Sequence, residues 1–287
     1  MISNIRTFLY FCTFFGLASV PATPSTLCYF VELMALTVTY GHIKNLMSSI
    51  KYLHDAYNCN FPANDFGLDA TLQGLKRRLA RTPFQVLPIT PTILRKMYGF
   101  LDMRKTSDLA LWCSFLVAFF CLFRKKNTVP ESATPSNEKT LHRRHIVVDS
   151  ENNMAYIYCN FSKTNQFGAS NLLISVPGNS DPCLDLVRHL SALFDRVDAG
   201  LDKPAFSYGP NSFIHYKLFT QRLKTLLALA GYISRLYSGH SMRRGGASFL
   251  YQVGGSILQI MSSGDWSSSC FTRYLSSLKK SEWMPNY

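Results

Sequence analysis

Charge is scarce in this chain of 287 residues: Asp, Glu, Lys and Arg together make up 16% of it, and only 17 positions are acidic against 30 basic ones. With 47% hydrophobic residues, that scarcity excludes a disordered polyelectrolyte and leaves a globular protein. The eight cysteines (12, 28, 59, 113, 121, 159, 183 and 270) form no Cys-x-x-Cys, and none pairs with histidine at zinc spacing. Neither a structural metal nor a disulfide framework is indicated, and the cysteines read as buried thiols in a reducing compartment. There is no glycine-rich nucleotide loop, no internal repeat and no low-complexity tract. No membrane span is expected either. The apolar run "LALWCSFLVAFFCLF" (109–123) holds fifteen residues between Asp108 and Arg124, short of the ~20 that a bilayer core demands, and reads as a buried helix. Residues 1–23, with Arg6 ahead of an apolar run and small residues, imitate a signal peptide, but the basic remainder with its scattered cysteines argues for the cell interior.

What is present is positive charge. The net value is +13 and the pI is about 9.4, which favours a polyanionic partner, either nucleic acid or an anionic membrane surface. Seven basic and four acidic residues precede residue 88, and 23 basic and 13 acidic residues follow, so both parts are net positive.

The length predicts two domains. Residues 1–88 read as short helices over 27–40, 43–57 and 68–81, the last carrying the basic cluster Lys76, Arg77, Arg78 and Arg81. "TPFQVLPITP" (82–91) holds three prolines in ten residues and marks a linker, which places the boundary between domains 1–88 and 89–287. Helices follow at 92–104 and 107–123, then a polar surface loop over 128–140. Between 145 and 178 the pattern alternates and is rich in Ile, Val and Tyr, which predicts a small antiparallel sheet of about three strands. The remainder reads as helix with a loop near "DKPAFSYGPNS", and a short final helix begins near Ser267.

"GHSMRRGGASFLYQVGGSILQIMSSGDWSSSCFTRYL" (239–275) gathers the groups with chemistry. His240 and Arg243, three apart, share one face of a helix start and suit a phosphate. A tyrosine such as Tyr274, with an ordinary pKa of about 10, attacks phosphorus only where cations stabilise its phenolate and the transition state. Taken singly these signals are weak, and each has an ordinary structural alternative: Arg124-Lys125-Lys126 as partners of a helix dipole, Lys163 as a solvated loop residue, Trp266 as core. Arg143-Arg144, between His142 and His145, reads equally as backbone-phosphate contacts or as a solvated run.

In order along the chain, however, Arg124 in "FFCLFRKKNTVP", Lys163 in "YCNFSKTNQFG", His240 and Arg243 in "GHSMRRGG", Trp266 in "SGDWSSS" and Tyr274 in "FTRYLS" resemble the catalytic set of the tyrosine recombinases, or phage integrases. The N-terminal part, with "IKNLMSSIKYLHDAY" and "LQGLKRRL", is similar to the core-binding half of recombinases carried by eukaryotic Crypton and DIRS-type mobile elements.

The resemblance implies a mainly α fold with a small antiparallel sheet. A helical, SAM-like core-binding domain would precede an α+β catalytic domain, and a site-specific recombinase or integrase would act on double-stranded DNA through a 3′-phosphotyrosyl intermediate. It implies no metal and no cofactor, a homo-tetramer on two DNA sites, no membrane, and a nuclear location in a eukaryotic source. Arg124 and Arg243 would clamp the scissile phosphate, His240 and Trp266 would complete the cradle, Lys163 would protonate the leaving 5′ oxygen, and Tyr274 would be the nucleophile. Lys76, Arg77, Arg78, Arg81, Arg143, Arg144 and Arg244 would contact DNA. Two departures from the family pattern stand out. Asn127 occupies the position three after the first arginine where an acid is often found, and the step from Trp266 to Tyr274 is only eight residues. They keep open the alternative of a catalytically inactive DNA-binding remnant of the same fold; a type IB topoisomerase shares the chemistry but usually has a larger frame.

Overall fold

The computed structural model describes residues 1–80, 86–132, 140–159, 172–266 and 271–272. The chain divides into two compact units, Met1–Phe84 and Gln85–Tyr287.

The first unit is helical: α1 Ile2–Phe15, α2 Pro24–Met34, α3 Tyr40–Ala56 and α4 Phe66–Arg78. Three of the four starts are written in the sequence. Thr23, Thr39 and Asp65 accept hydrogen bonds from the backbone N–H groups of Thr26, His42 and Leu68, and Pro24 fills the first turn of α2 where its missing N–H costs nothing. Gly16, in the left-handed region at φ 63°, ends α1. The signal-like run is therefore a folded helix whose Phe8, Phe11 and Cys12 join Leu27, Phe30, Ile43 and Ile50 in one core. His54 is buried in that unit and satisfied at both ring nitrogens, Nε2 accepting from the Ala22 N–H and Nδ1 donating to the Ile50 carbonyl, each at 2.9 Å. The expected helix over 27–40 stops six residues short, because Thr39 caps a new helix and Ala35–Val38 form the turn between them.

The second unit contains α5 Pro91–Tyr98, α6 Thr106–Phe120, α7 Lys125–Thr128, β1 Ile146–Asp149, β2 Met154–Cys159, β3 Leu172–Pro177, α8 Leu186–Arg196, β4 Ser207–Gly209, β5 Ser212–Phe213, α9 Tyr216–Leu229, α10 His240–Gln252 and α11 Ile257–Ser263. The sheet β1-β2-β3 is antiparallel throughout, with Ile146, Ile157 and Ile174 in register across it. Ala155, Ile157 and Cys159 point into the core while Tyr158 points out, the period-two pattern that the sequence carries. α6 is buried at every residue from Leu109 to Phe119 and is the central rod against which α8 and α10 pack. No helix among the described residues is long and apolar enough to cross a membrane.

Three expectations change here. The "DKPAFSYGPNS" segment is a short hairpin, β4 with β5, where a loop is expected. The proline-rich stretch is no free tether over its described half: Leu87 N–H donates to the Leu236 carbonyl, Ile89 N–H donates to the Ser241 carbonyl, and Ile89 is fully buried. Pro88, which lacks an N–H, falls between the two donors. Finally, α6 does not run on to Arg124. It ends at Phe120, Leu122 takes a left-handed φ of 53°, and Arg124 starts α7 as its N-cap. Residues 133–139 of the expected polar loop, and the expected final helix beyond Trp266 save for 271–272, lie outside the described residues.

Gly245 and Gly246 of α10 explain how that helix reaches α6. A Cβ on Gly246 would lie 1.9 Å from the Phe119 carbonyl oxygen, and one on Gly245 would lie 1.7 Å from that of Ile89. Both obstacles are backbone and cannot swing aside. Gly246→Ala should therefore lower the stability of this unit by about 1–3 kcal/mol. All three tryptophans, 112, 266 and 283, belong to the same unit, so the midpoint of urea unfolding followed by tryptophan fluorescence measures the loss.

Candidate anion-binding site

The close approach of α10 to α6 sets His240, Arg243 and Arg244 against the end of α6 and the start of α7. Arg243 is 2% exposed. One terminal nitrogen of its guanidinium donates to the Leu122 carbonyl at 2.6 Å, the other donates to the Gly264 carbonyl, and its plane lies 4.0 Å from the centre of the Trp266 ring. The left-handed turn at Leu122 and the glycine at 264 are what present those carbonyls. A Cβ at 264 would meet the Trp266 ring at 2.0 Å, so the tryptophan can stack on Arg243 only because residue 264 has no side chain.

Arg124, half-buried at the N-cap of α7, lines a small recess together with Arg243, Asn127, Cys159, Gly264 and Asp265. His240 opens α10, its backbone N–H donating to Ser238 Oγ at 3.1 Å. Its imidazole pKa is lowered from 6.5 to about 4, first because burial penalises the charged ring and then because Arg243, Arg124 and Arg244 repel its proton. The imidazole is neutral at pH 7, with one nitrogen to donate and one to accept. Two arginines on the lining of one recess, with a neutral imidazole held in their field, suit an anion, and an anion arriving there would raise the affinity of His240 for a proton.

The sequence-predicted set is thus brought together at Arg124, His240, Arg243 and Trp266. Lys163, Tyr274 and Arg81 lie outside the described residues. Of the expected DNA contacts, Lys76, Arg77 and Arg78 are exposed at the end of α4, Arg78 paired with Glu32 at 2.5 Å. Arg144 is half-exposed and ion-paired with Asp202. Arg143 corrects the expectation. It is 6% exposed, donates to the carbonyls of Ala205 and Val197 at 3.2 and 3.1 Å, and stacks 4.0 Å over Phe194, which makes it a packing residue with no face for a polyanion. Arg244, 4% exposed, likewise lies inside the protein and acts on the site through its field at His240. Sequence reading overlooked Leu122, Cys159, Gly264 and Asp265 as parts of the site; only Gly264, two residues before Trp266, left a visible trace.

Chains of known structure share this arrangement of elements. The XerH site-specific recombinase, in a post-cleavage complex with a palindromic difH substrate, superposes with a TM-score of 0.57 at 12% identity, covering 88% of this chain and 68% of that one. The Tn1549 transposon integrase, in complex with circular intermediate DNA, superposes with a TM-score of 0.51 at 13% identity, covering 91% of this chain and 83% of that one.

This chain has the tyrosine recombinase fold.

At such identities the likeness concerns the fold, and the tyrosine recombinase fold accounts for both the helical first unit and the mixed second one. No family model matches the chain, and no curated protein matches its sequence.

The field at His240 has a measurable consequence. The unfolded chain protonates this histidine near 6.5 while the folded protein holds it neutral down to about 4, so between those values the unfolded state binds the extra proton and stability falls as the pH drops. His240→Gln should flatten that fall between pH 6.5 and 4. The check is the urea midpoint of the wild type, which should fall relative to that of the variant as the pH drops from 7 to 4.

Proposed function

We propose that the protein is a site-specific DNA recombinase or integrase that breaks and rejoins duplex DNA through a tyrosine ester. The observation that carries this reading is the delivery of Arg124 and Arg243, distant in sequence, to one recess with His240 beside them, on a tyrosine recombinase fold. The two arginines would neutralise the non-bridging oxygens of the scissile phosphate as charge builds on them. His240, neutral before DNA arrives, would hydrogen-bond the same phosphate. The Tyr274 oxygen, its proton passing to the neutral His240, would bond to phosphorus as the bond from phosphorus to the 5′ oxygen breaks, and Lys163 would give that oxygen its proton. The 3′-phosphotyrosyl bond keeps the energy of the phosphodiester, so the reverse attack rejoins the strand.

Here Trp266 serves through its stack on Arg243 as well as through any bond of its own N–H. Lys76 and Arg77 of the first unit would hold the duplex by its phosphates. Four copies would assemble on two DNA sites, and the enzyme would derive from a mobile element and work on nuclear DNA.

One observation favours a second reading. Asn127, in place of an acid, lines the recess beside Arg124, which suits a remnant that binds DNA without cutting it. The two separate on nicked duplexes of pooled sequence that trap a cleaved strand. An SDS-resistant protein–DNA adduct should form and vanish in Tyr274→Phe; binding without an adduct would support the remnant. In either case affinity should fall on the order of a thousandfold between about 50 and 200 mM salt, as phosphate-dominated binding requires, measured by fluorescence anisotropy.

A further inference from the structure

The residue after Arg124 has no part in the chemistry above, yet its side chain is held along its whole length. The stem of Lys125 runs across the Cα of Gly239: a Cβ at that glycine would lie 2.4 Å from Lys125 Cδ and 3.2 Å from its Cγ. Beyond the stem, the ammonium stands 3.4 Å from the centre of the Tyr216 ring and donates to Thr220 Oγ1 at 3.2 Å. Tyr216 and Thr220 are four apart on α9 and so face the same way. Thr220 gives its own hydroxyl proton to the Tyr216 carbonyl, which turns the oxygen lone pairs toward the lysine. Lys126, the next residue, points elsewhere and pairs with Glu131 at 2.5 Å. Two adjacent lysines therefore divide their tasks, one reaching outward and the other wedged between α9 and the start of α10.

The juxtaposition joins the two ends of the site. Lys125 follows Arg124 in the chain, and Gly239 precedes His240. We propose that Lys125 is a positioning residue, a strut that sets the separation of Arg124 and His240 by packing on Gly239 while Tyr216 and Thr220 hold its ammonium. The proposal rests on the reading of this site as a phosphate cradle. It explains why residue 239 is glycine, since any side chain there would push the strut away. It also gives α9, which contributes no group to the recess, a task in the site. The ring and the hydroxyl tether the far end of the side chain, so the near end, and with it the backbone of Arg124, cannot drift.

His240 is the gauge. The charges that face it are Arg243 and Arg244 from its own helix and Arg124 from across the site, with Lys125 behind. If the strut gives way, Arg124 moves off and the imidazole becomes easier to protonate. Lys125→Met is unsuitable as a test, because deleting a nearby positive charge would raise the pKa whatever the lysine does. Gly239→Ala and Tyr216→Leu change no charge. The first pushes the stem aside and the second removes the ring beneath the ammonium.

NMR titration of the His240 Cε1 proton in DNA-free protein should give a midpoint raised by about half a unit or more in both variants. In adduct formation at saturating DNA, both should react about tenfold more slowly with unchanged affinity, as expected of lost alignment and retained binding. Wild-type midpoints in the two variants, with unfolding midpoints intact, would overturn the strut. The titration needs no catalysis. Failure of the wild-type protein to form an adduct would count against the recombinase reading, and the midpoints would still decide the strut.

Discussion

The bond from the Arg243 guanidinium to the Leu122 carbonyl is the constraint on which the second unit turns. A guanidinium that is 2% exposed has lost its water and needs partners of fixed geometry; an isolated buried charge would cost several kcal/mol. The chain supplies them from its backbone, the carbonyl of Leu122 at the end of α6 and that of Gly264 just past α11, and it closes the flat face with the Trp266 ring. Backbone carbonyls neutralise no charge. These two bonds therefore fix the orientation of the arginine without themselves cancelling its charge.

That bond propagates outward through the backbone. Leu122 takes a left-handed conformation that is strained for a leucine, and the strain falls where α6 must stop and turn Arg124 toward the same recess. α10 can bring Arg243 within reach of Leu122 only because Gly245 and Gly246 let its backbone touch the carbonyls of Ile89 and Phe119. The same paired glycines that are weak helix formers are thus required for contact, and the fully buried α6 supplies the rigid surface that makes the contact specific.

The legible part of the chain is the part where local rules dominate. The N-caps Thr23, Thr39 and Asp65, the alternation across β1 to β3 and the apolar run of α6 can all be read from a few neighbouring residues. Arg124, His240, Arg243 and Trp266 could be named because their order along the chain resembles a known set, although no spacing says that they meet. What stayed hidden depends on distant partners. Arg143 and Arg144 look alike in sequence. Only the carbonyls of Val197 and Ala205 and the ring of Phe194 decide that the first is packing, and only Asp202 gives the second a surface ion pair. Lys125 and Lys126 are separated in the same way by Tyr216 and Glu131. For a long cationic side chain the role lies in which contacts its neighbours complete, and periodicity carries no information about that.

The electrostatics of the recess give the last step. Burial first, and then the field of Arg243, Arg124 and Arg244, keep one imidazole neutral well below the pH at which a free histidine would charge. The mutual repulsion of these arginines works against folding; Asp265 is the carboxylate on the lining of the recess, and position 127, beside Arg124, holds an asparagine that adds no second one. Positive charge concentrated in this way is at its lowest energy when an anion occupies the recess. Such an anion would weaken the positive field at His240 and raise its proton affinity, while the larger cost of burial remains.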